Sequence, residues 1–142
     1  MSVGAPVHAV GIQAHLEYQG FARGFNPTAY RAFLAELVAR GLDIFITEMD
    51  VLDDELKANI ATRDAGVANM YSRYLSVALD EPAVKIVINF GLSDRYTWLQ
   101  EDFPRRDGAP RRPLPFDDQL QPKPAYDAIL QALQNAPTRT PV

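Results

Sequence analysis

Two pairs of polar residues end two apolar segments of this 142-residue sequence, and their types could carry chemistry. Gln13 and His15 end the first segment, and Glu48 and Asp50 end the second. Residues two apart on a β-strand face the same side of a sheet, so each pair can share one face. Neighbouring strands lie about 4.8 Å apart, so a histidine and a carboxylate at matching levels can make contact. Hydrogen bonds of this kind favour the charged form of a carboxylate.

Each of these residues also has a structural interpretation, which stays open at this point. Glu48 can be a solvated acid at a strand end, His15 a structural histidine, and Asp50 a turn residue. The spacing of His15 from Gln13 and their position at a strand end favour the interpretation as a site.

Three short segments with the composition of β-strands position these residues. They span residues 7–15, 42–47 and 84–89, and the second and third are rich in β-branched residues. A helix is predicted after each strand, so the sequence indicates an α/β fold with parallel strands and right-handed crossovers. In such sheets ligands bind beyond the carboxyl ends of the strands, where the polar pairs stand. We expect the second strand to lie between the other two.

The helices have recognisable ends. The first has Asn26 as its N-cap, Pro27 at its first position and Gly41 where a terminating residue belongs. The second is predicted from about residue 61 to residue 79, and the third begins near Pro124. Tyrosines at helical spacing in the long helices are predicted to be core residues.

A long loop, residues 92–121, leaves the third strand at the same edge of the sheet. It contains Trp98, the only tryptophan, which can close the core beneath the loop or line a site. Phe90, at the end of the third strand, is as compatible with the core as with the wall of a site. The pairs Arg105–Arg106 and Arg111–Arg112 are predicted to be solvated.

Length and composition indicate one unit with a packed core, residues 1–142, whose last residues, 137–142, are predicted to fray. Fourteen basic and eighteen acidic residues give a net charge of −4, which argues against a general nucleic-acid surface. The sequence has no cysteine, which excludes disulfides and thiolate metal sites, and its two histidines are too few for a histidine-rich metal site. No apolar run approaches the roughly 18 residues of a membrane span, and no signal-peptide pattern is visible.

The segments around these residues resemble the carboxyl-terminal part of glycoside hydrolase family 10, the retaining endo-1,4-β-xylanases. The matching pieces are residues 10–16 (VGIQAHL), 46–50 (ITEMD), 91–99 (GLSDRYTWL), 113–117 (PLPFD) and 121–126 (QPKPAY). They occur in the order of the family and span nearly the whole chain. The resemblance implies a (β/α)8 TIM barrel, of which this chain supplies about the last three βα units.

The resemblance implies a role for each candidate residue. Glu48 matches the nucleophile that forms the glycosyl-enzyme intermediate, His15 the histidine that hydrogen-bonds it, and Asp50 the acid that holds this histidine. Gln13 lies beside them near the sugar, and Trp98 matches an aromatic wall of the glycone subsites. Neither a cofactor nor a metal is implied.

Two departures from the family matter. Phe90 stands where the family usually has a tryptophan, and it lacks the indole N–H and some stacking area. The general acid/base glutamate follows the fourth strand of the family barrel, a part that this chain does not match. Glu17, Glu101 and Asp102 are carboxylates at the correct edge, but none matches the motif of that acid. The chain alone is therefore expected to hydrolyse xylan poorly.

Alternatives remain open for function and for assembly. The chain is interpreted as a xylanase-like segment acting on xylan or xylo-oligosaccharides; the alternatives are a non-catalytic remnant that binds xylo-oligosaccharide or a partner, and a half that needs a complementing chain. A partial barrel leaves two open sheet edges and one uncovered face, so the chain is a segment of a longer protein, associates, or rearranges. Family members are mostly secreted or periplasmic, and the compartment of this chain stays open.

Overall fold

Parallel strands with helices packed on one side make up the part of the chain that the computed structural model describes, residues 4–18, 24–57 and 59–139. The strands are β1 (Ala9–Ile12), β2 (His15–Glu17), β3 (Asp43–Leu52) and β4 (Val84–Asn89). The helices are α1 (Pro27–Ala39), α2 (Ile60–Ala78), α3 (Leu99–Asp102) and α4 (Pro124–Asn135), with a 3₁₀ turn at Asp94–Tyr96.

The ends of α1 follow from its flanking residues. The Asn26 side chain accepts a hydrogen bond from the Ala29 amide at 3.1 Å, and Pro27 is the first helical residue. Gly41 follows the helix with a φ of +74°, a left-handed conformation that glycine adopts without strain. The N-cap, the first residue and the terminating glycine predicted from the sequence are confirmed.

β3 is the central strand of the sheet. It pairs in parallel with β1, where Ile12 lies opposite Ile46, and in parallel with β4. β2 continues alongside the second half of β3 and places His15 opposite Asp50. The predicted parallel arrangement, with the second strand of the sequence between the first and the third, is confirmed.

Two strands have limits that differ from the prediction. The first is interrupted at Gln13 and Ala14, where Ala14 has a φ of 63°, so residues 7–15 do not form one strand. The second continues to Leu52 instead of ending at residue 47, because β2 gives its second half a pairing partner. Glu48 and Asp50 consequently lie within a strand.

The alternation of side chains in β3 changes once. Its buried apolar residues are Ile44, Ile46, Met49 and Val51, so the spacing of two lengthens to three between Ile46 and Met49. The pairing with β4 shifts at the same place, which is the pattern of a β-bulge. Strict alternation from Ile46 would direct Glu48 into the buried face, and the extra residue directs it to the opposite face.

The helices cover one face of the sheet and leave the other open. The core lies between β3 and the helices α1 and α2, with α4 packed against α2, and it buries residues such as Leu34, Val67 and Tyr71. On the other face, Ile86 and Ile88 of β4 are 42% and 48% exposed. The single covered face agrees with the expectation for a partial barrel.

We expect the 142-residue chain to self-associate in solution. In the part of the chain that the structure describes, β4 pairs only with β3, so its outer edge and the apolar face at Ile86 and Ile88 are available to another chain. Sedimentation velocity over a wide concentration range should give a mass that rises above the 15.8 kDa of one chain. Ile88→Lys should return the chain toward the monomer, and a wild-type monomer at every concentration would contradict the prediction.

Arginines of the loop between β4 and α4 are buried, contrary to the sequence prediction. Arg105 and Arg111 are 6% and 2% exposed. The fully buried Asp53 accepts hydrogen bonds from Arg63 Nε at 2.9 Å and from Arg111 Nη1 at 3.0 Å. Arg105 donates to the main-chain carbonyl of Asp53. The prediction of solvated side chains is wrong for both residues, because Arg105 donates to main-chain carbonyls after the end of β3 and Arg111 donates to the Asp53 carboxylate.

Further ion pairs attach the rest of this loop to the helices. Arg112 Nε lies 2.7 Å from Asp64 Oδ1 of α2, and Lys123 Nζ lies 2.7 Å from Asp94 Oδ2. Arg106, by contrast, is exposed, as the sequence predicted. The loop is therefore fixed to α2 at the carboxyl edge of the sheet, which is the edge that carries His15, Glu48 and Asp50.

The chain after α4 returns to the sheet. Arg139 donates from Nε to the Val84 carbonyl and from Nη2 to the Leu79 carbonyl, both at 2.9 Å. The sequence predicted fraying from residue 137, but these hydrogen bonds anchor the chain as far as Arg139. The rest of the predicted tail, residues 140–142, lies outside the described residues.

Candidate active site

Glu48, His15 and Asp50 form a chain of hydrogen bonds at the carboxyl edge of the sheet. His15 Nε2 lies 3.2 Å from Glu48 Oε2, and His15 Nδ1 lies 2.8 Å from Asp50 Oδ1. The Asp50 side chain is 1% exposed, whereas those of His15 and Glu48 are 30% and 31% exposed. The structure thus brings these three predicted residues together and leaves Glu48 accessible to a ligand.

His15 is placed to hold a proton between two carboxylates. Only the imidazolium can donate from both ring nitrogens, one to Asp50 and the other to Glu48. Burial disfavours the charged ring, but the hydrogen bonds and charges of Asp50 and Glu48 outweigh burial and raise the pKa of His15 above 6.5. Burial raises the pKa of Asp50, although hydrogen bonds from His15 and Trp98 act in the opposite direction.

Trp98 joins this chain through its indole. Its Nε1 donates to Asp50 Oδ2 at 2.7 Å, on the other side of the carboxylate from His15. The ring is half-buried and lies in edge contact with three aromatic rings, those of His15 at 5.3 Å, Phe90 at 6.1 Å and Phe103 at 5.4 Å between centroids. The structure therefore places Trp98 in direct contact with the candidate site residues His15, Asp50 and Phe90.

Gln13 and Phe90 lie beside the chain in different ways. The main-chain carbonyl of Gln13 accepts a hydrogen bond from the Glu48 amide at 2.9 Å, and the Gln13 residue is exposed. Phe90 is 43% exposed, and its ring meets that of His15 edge-on at 5.5 Å. Both residues stand at the edge of the sheet where the sequence predicted them.

Gly91 fixes the turn that follows Phe90. Its φ is +126°, and a Cβ at this position would lie 2.8 Å from Leu114 Cδ1. A larger residue would displace Leu114, which is fully buried. Glycine therefore fits the position at which the loop begins after Phe90.

The remaining carboxylates at this edge are exposed: Glu17 on β2, and Glu101 and Asp102 on α3. A pocket of about 170 Å³ lies between Glu17, His15, Trp98 and neighbouring apolar side chains. Within residues 4–18, 24–57 and 59–139, no group of three or more histidine, aspartate or glutamate side chains is arranged to hold a metal ion. No helix among the same residues is long and apolar enough to cross a membrane.

Comparison with known proteins points to one family. The sequence model of glycosyl hydrolase family 10 matches residues 1–132, nearly the whole chain. The chain belongs to glycosyl hydrolase family 10. The sequence resemblance to this family is thereby confirmed.

The family 10 relatives are much longer than this chain. Endo-1,4-beta-xylanase B of Thermotoga neapolitana is 32% identical over 131 residues, which cover 92% of this chain and 35% of that protein. The crystal structure of native xylanase 10B of Thermotoga maritima superposes with a TM-score of 0.77 at 33% identity, over 92% of this chain and 38% of that one. Xylanase 10B of Thermotoga petrophila RKU-1, solved in complex with xylobiose, also gives a TM-score of 0.77 at 33% identity, over 92% and 37%. The chain therefore has the fold of part of a family 10 TIM barrel.

Sequence reasoning missed two sets of residues that hold this family 10 site together. Phe103 packs edge-on against Trp98, and Asp53 gathers the arginines that fix the loop carrying Trp98. The sequence carried no specific signal for Asp53, because the predicted strand ended at residue 47. For Phe103, the available signal was an aromatic residue five positions after Trp98 in the same loop.

We expect His15 to make a pH-dependent contribution to stability. Because the folded chain raises its pKa above 6.5, the contribution is fully present below that pH and is lost as the pH rises through the folded-state pKa. Urea unfolding of the wild type and of His15→Gln should therefore show a stability difference that shrinks as the pH rises above 6.5. A difference that grows with pH would contradict this assignment, and His8→Gln is the control because His8 is exposed.

Proposed function

We propose that this chain is a xylanase-like segment that carries the nucleophile of a retaining site for β-1,4-xylosidic bonds. The observation that carries the proposal is the chain of hydrogen bonds from Glu48 through His15 to Asp50 at the carboxyl edge of a family 10 sheet. The relatives named endo-1,4-beta-xylanases support the reaction class. The xylobiose complex of a related xylanase supports xylan and xylo-oligosaccharides as ligands.

Glu48 is the proposed nucleophile. Its side chain is 31% exposed, and His15 contacts one of its two carboxylate oxygens, which leaves the other to attack the anomeric carbon. The bond formed is a glycosyl ester of Glu48, and the bond broken is that between the anomeric carbon and the leaving oxygen. His15 and Asp50 are proposed to keep the carboxylate in one orientation for this attack.

Aromatic and amide side chains are proposed to receive the sugar beside Glu48. The exposed face of Phe90 offers apolar surface, and Trp98 forms a second aromatic wall approximately at right angles to it, at an interplanar angle of 86°. Gln13 is exposed at the same edge and can hydrogen-bond a hydroxyl group. Phe90 has no N–H group, so it contributes contact area and no hydrogen bond.

The acid/base is proposed to come from outside these residues. A retaining glycosidase needs a second carboxyl about 5 to 5.5 Å from the nucleophile to protonate the leaving oxygen. Asp50 cannot take this role, because it is 1% exposed and its two oxygens accept from His15 and Trp98. The family places its acid/base after the fourth strand of the barrel, so we propose that the first barrel units supply it, in the same protein or as a complementing chain.

Non-catalytic binding of xylo-oligosaccharide is the second candidate. An aromatic surface for a sugar is formed by Phe90, Trp98 and the adjoining pocket of about 170 Å³. This surface does not depend on a general acid in the site. In this case residues 1–142 act as a single binding segment, and Glu48 contributes a hydrogen-bond acceptor.

Mixing the chain with a second chain that carries the first five barrel units of a family 10 xylanase tests both candidates. Sedimentation shows whether the two assemble, and reducing-sugar release shows whether xylan is hydrolysed. The proposal expects hydrolysis only in the mixture, and none when Glu48→Gln replaces the wild type. An assembled mixture that binds xylobiose without hydrolysing xylan would reject the catalytic proposal and support the second candidate.

A further inference from the structure

We infer that Trp98 is a positioning residue that holds Asp50, and through it His15, beside Glu48. The inference rests on the proposed role of Glu48, and it adds a function for Trp98 beyond that of an aromatic wall. Its basis is the direction of one N–H group, because the indole Nε1 points at Asp50 Oδ2 at 2.7 Å.

Asp50 depends on both of its hydrogen bonds. Its side chain is 1% exposed, so water does not replace a lost donor. Oδ1 accepts from His15 at 2.8 Å, and Oδ2 accepts from Trp98 at 2.7 Å. A buried carboxylate that loses one donor is destabilised in its charged form and is free to rotate. The indole therefore fixes the orientation of the carboxylate as well as its charge.

The surroundings of Trp98 hold the indole in this direction. Phe90 and Phe103 meet the ring edge-on, at interplanar angles of 86° and 88°. An aromatic wall for a sugar requires a ring and no particular N–H direction, so phenylalanine at position 98 would preserve a wall. The hydrogen bond to Asp50, by contrast, requires the indole N–H group of tryptophan.

The charged and titratable groups around Asp50 are few. His15 faces it from β2 and Glu48 from β3, while Tyr71 faces it from α2 and feels its charge. The Trp98 indole stabilises the ionised form of Asp50 more than the protonated form, because a hydrogen bond to a charged acceptor is the stronger. Removing this donor lets Asp50 keep its proton to a higher pH, whereas the charge on His15 continues to favour the ionised form.

The composition of the chain allows these steps to be followed directly. The chain has two histidines and one tryptophan, so His15 gives one of two imidazole signals in NMR spectra, and all indole fluorescence comes from Trp98. Protonation of Asp50 at acid pH should change the chemical shift of His15, and this change is the acid step that is followed. In Trp98→Phe, we expect the midpoint of this step to rise by about one to two pH units, the equivalent of one hydrogen bond to a buried charge. Phe116→Leu is the control, because it removes a ring that packs against Tyr126, and it should leave this acid step unchanged.

A second measurement needs no change at position 98. Indole fluorescence of the wild type should follow the protonation of Asp50 as an acid step, and Asp50→Asn should lack that step. The inference is overturned if the step persists in Asp50→Asn, or if folded Trp98→Phe leaves the Asp50 step where it is in the wild type. Neither measurement uses hydrolysis, so a failure of the proposed catalytic role would leave these results unchanged and is distinguished from a failure of this inference.

Discussion

Glu48→Gln is expected to reduce hydrolysis of an activated aryl xyloside by at least about 10³-fold. An aryl leaving group departs without protonation, so the wild-type chain needs only its nucleophile for the first step, in which the glycosyl ester forms and the aryl alcohol is released. Glutamine preserves the shape and the approach to His15 but cannot form the glycosyl ester at a useful rate. The measurement is the rate of release of the aryl alcohol by purified wild type and variant.

Two comparisons make this result specific. Glu101→Gln changes an exposed carboxylate on α3 and should leave the rate close to that of the wild type. On xylan, the wild-type chain alone should turn over far more slowly than the roughly 10 s⁻¹ of a usual enzyme, because loss of general acid catalysis costs about 10² to 10⁴ in rate. Aryl xyloside hydrolysis that persists in Glu48→Gln would refute the assignment of the nucleophile.

Asp53→Ala is expected to lower the free energy of unfolding by about 3 to 5 kcal/mol. Asp53 is fully buried, and its carboxylate neutralises Arg63 and Arg111, which are 1% and 2% exposed. Removing it leaves these cations in the interior without their partner, and the desolvation that the pair had offset becomes a net cost. Urea denaturation of the two proteins at neutral pH measures the difference.

Asp54→Asn is the matched control. Asp54 Oδ1 lies 2.8 Å from Nη2 of the same Arg111, but its side chain is 39% exposed. Solvent screens this pair, so we expect only a small fraction of the effect of Asp53→Ala. Equal effects of the two substitutions would show that burial of Asp53 is not the cause of its contribution.

The sequence predicted the features that local patterns determine. The capping residues of α1, the parallel order of the strands and the meeting of His15 with Glu48 all follow from residues close together in sequence or from the edge that parallel strands share. The buried arginines could not be predicted this way, because Arg111 lies 58 residues from Asp53. A charged residue in a loop looks solvated unless its distant partner is known.

The residues of the candidate site were easier to predict from the sequence than the hydrogen bonds that join them. Trp98 was a candidate from the family motif, but its hydrogen bond joins it to a residue 48 positions away. The limits of β3 were also missed, since its second half extends beside β2, which resumes after Ala14. The change of phase before Met49 was also missed, although polar Glu48 and Asp50 alternate there with apolar Met49 and Val51.

The extra residue in β3 makes the effect of losing a residue from this segment depend on where the residue is lost. Exchanging Thr47 for another residue preserves the count, and Glu48 continues to face His15. Deleting Thr47 would restore strict alternation from Ile46 and remove the bulge, while Glu48 would still face the site and Met49 the core. Deleting Met49 would instead place Glu48 and Asp50 on opposite faces of the strand. In the descent of such genes, loss of a codon should therefore be tolerated before Glu48 and excluded between Glu48 and Asp50.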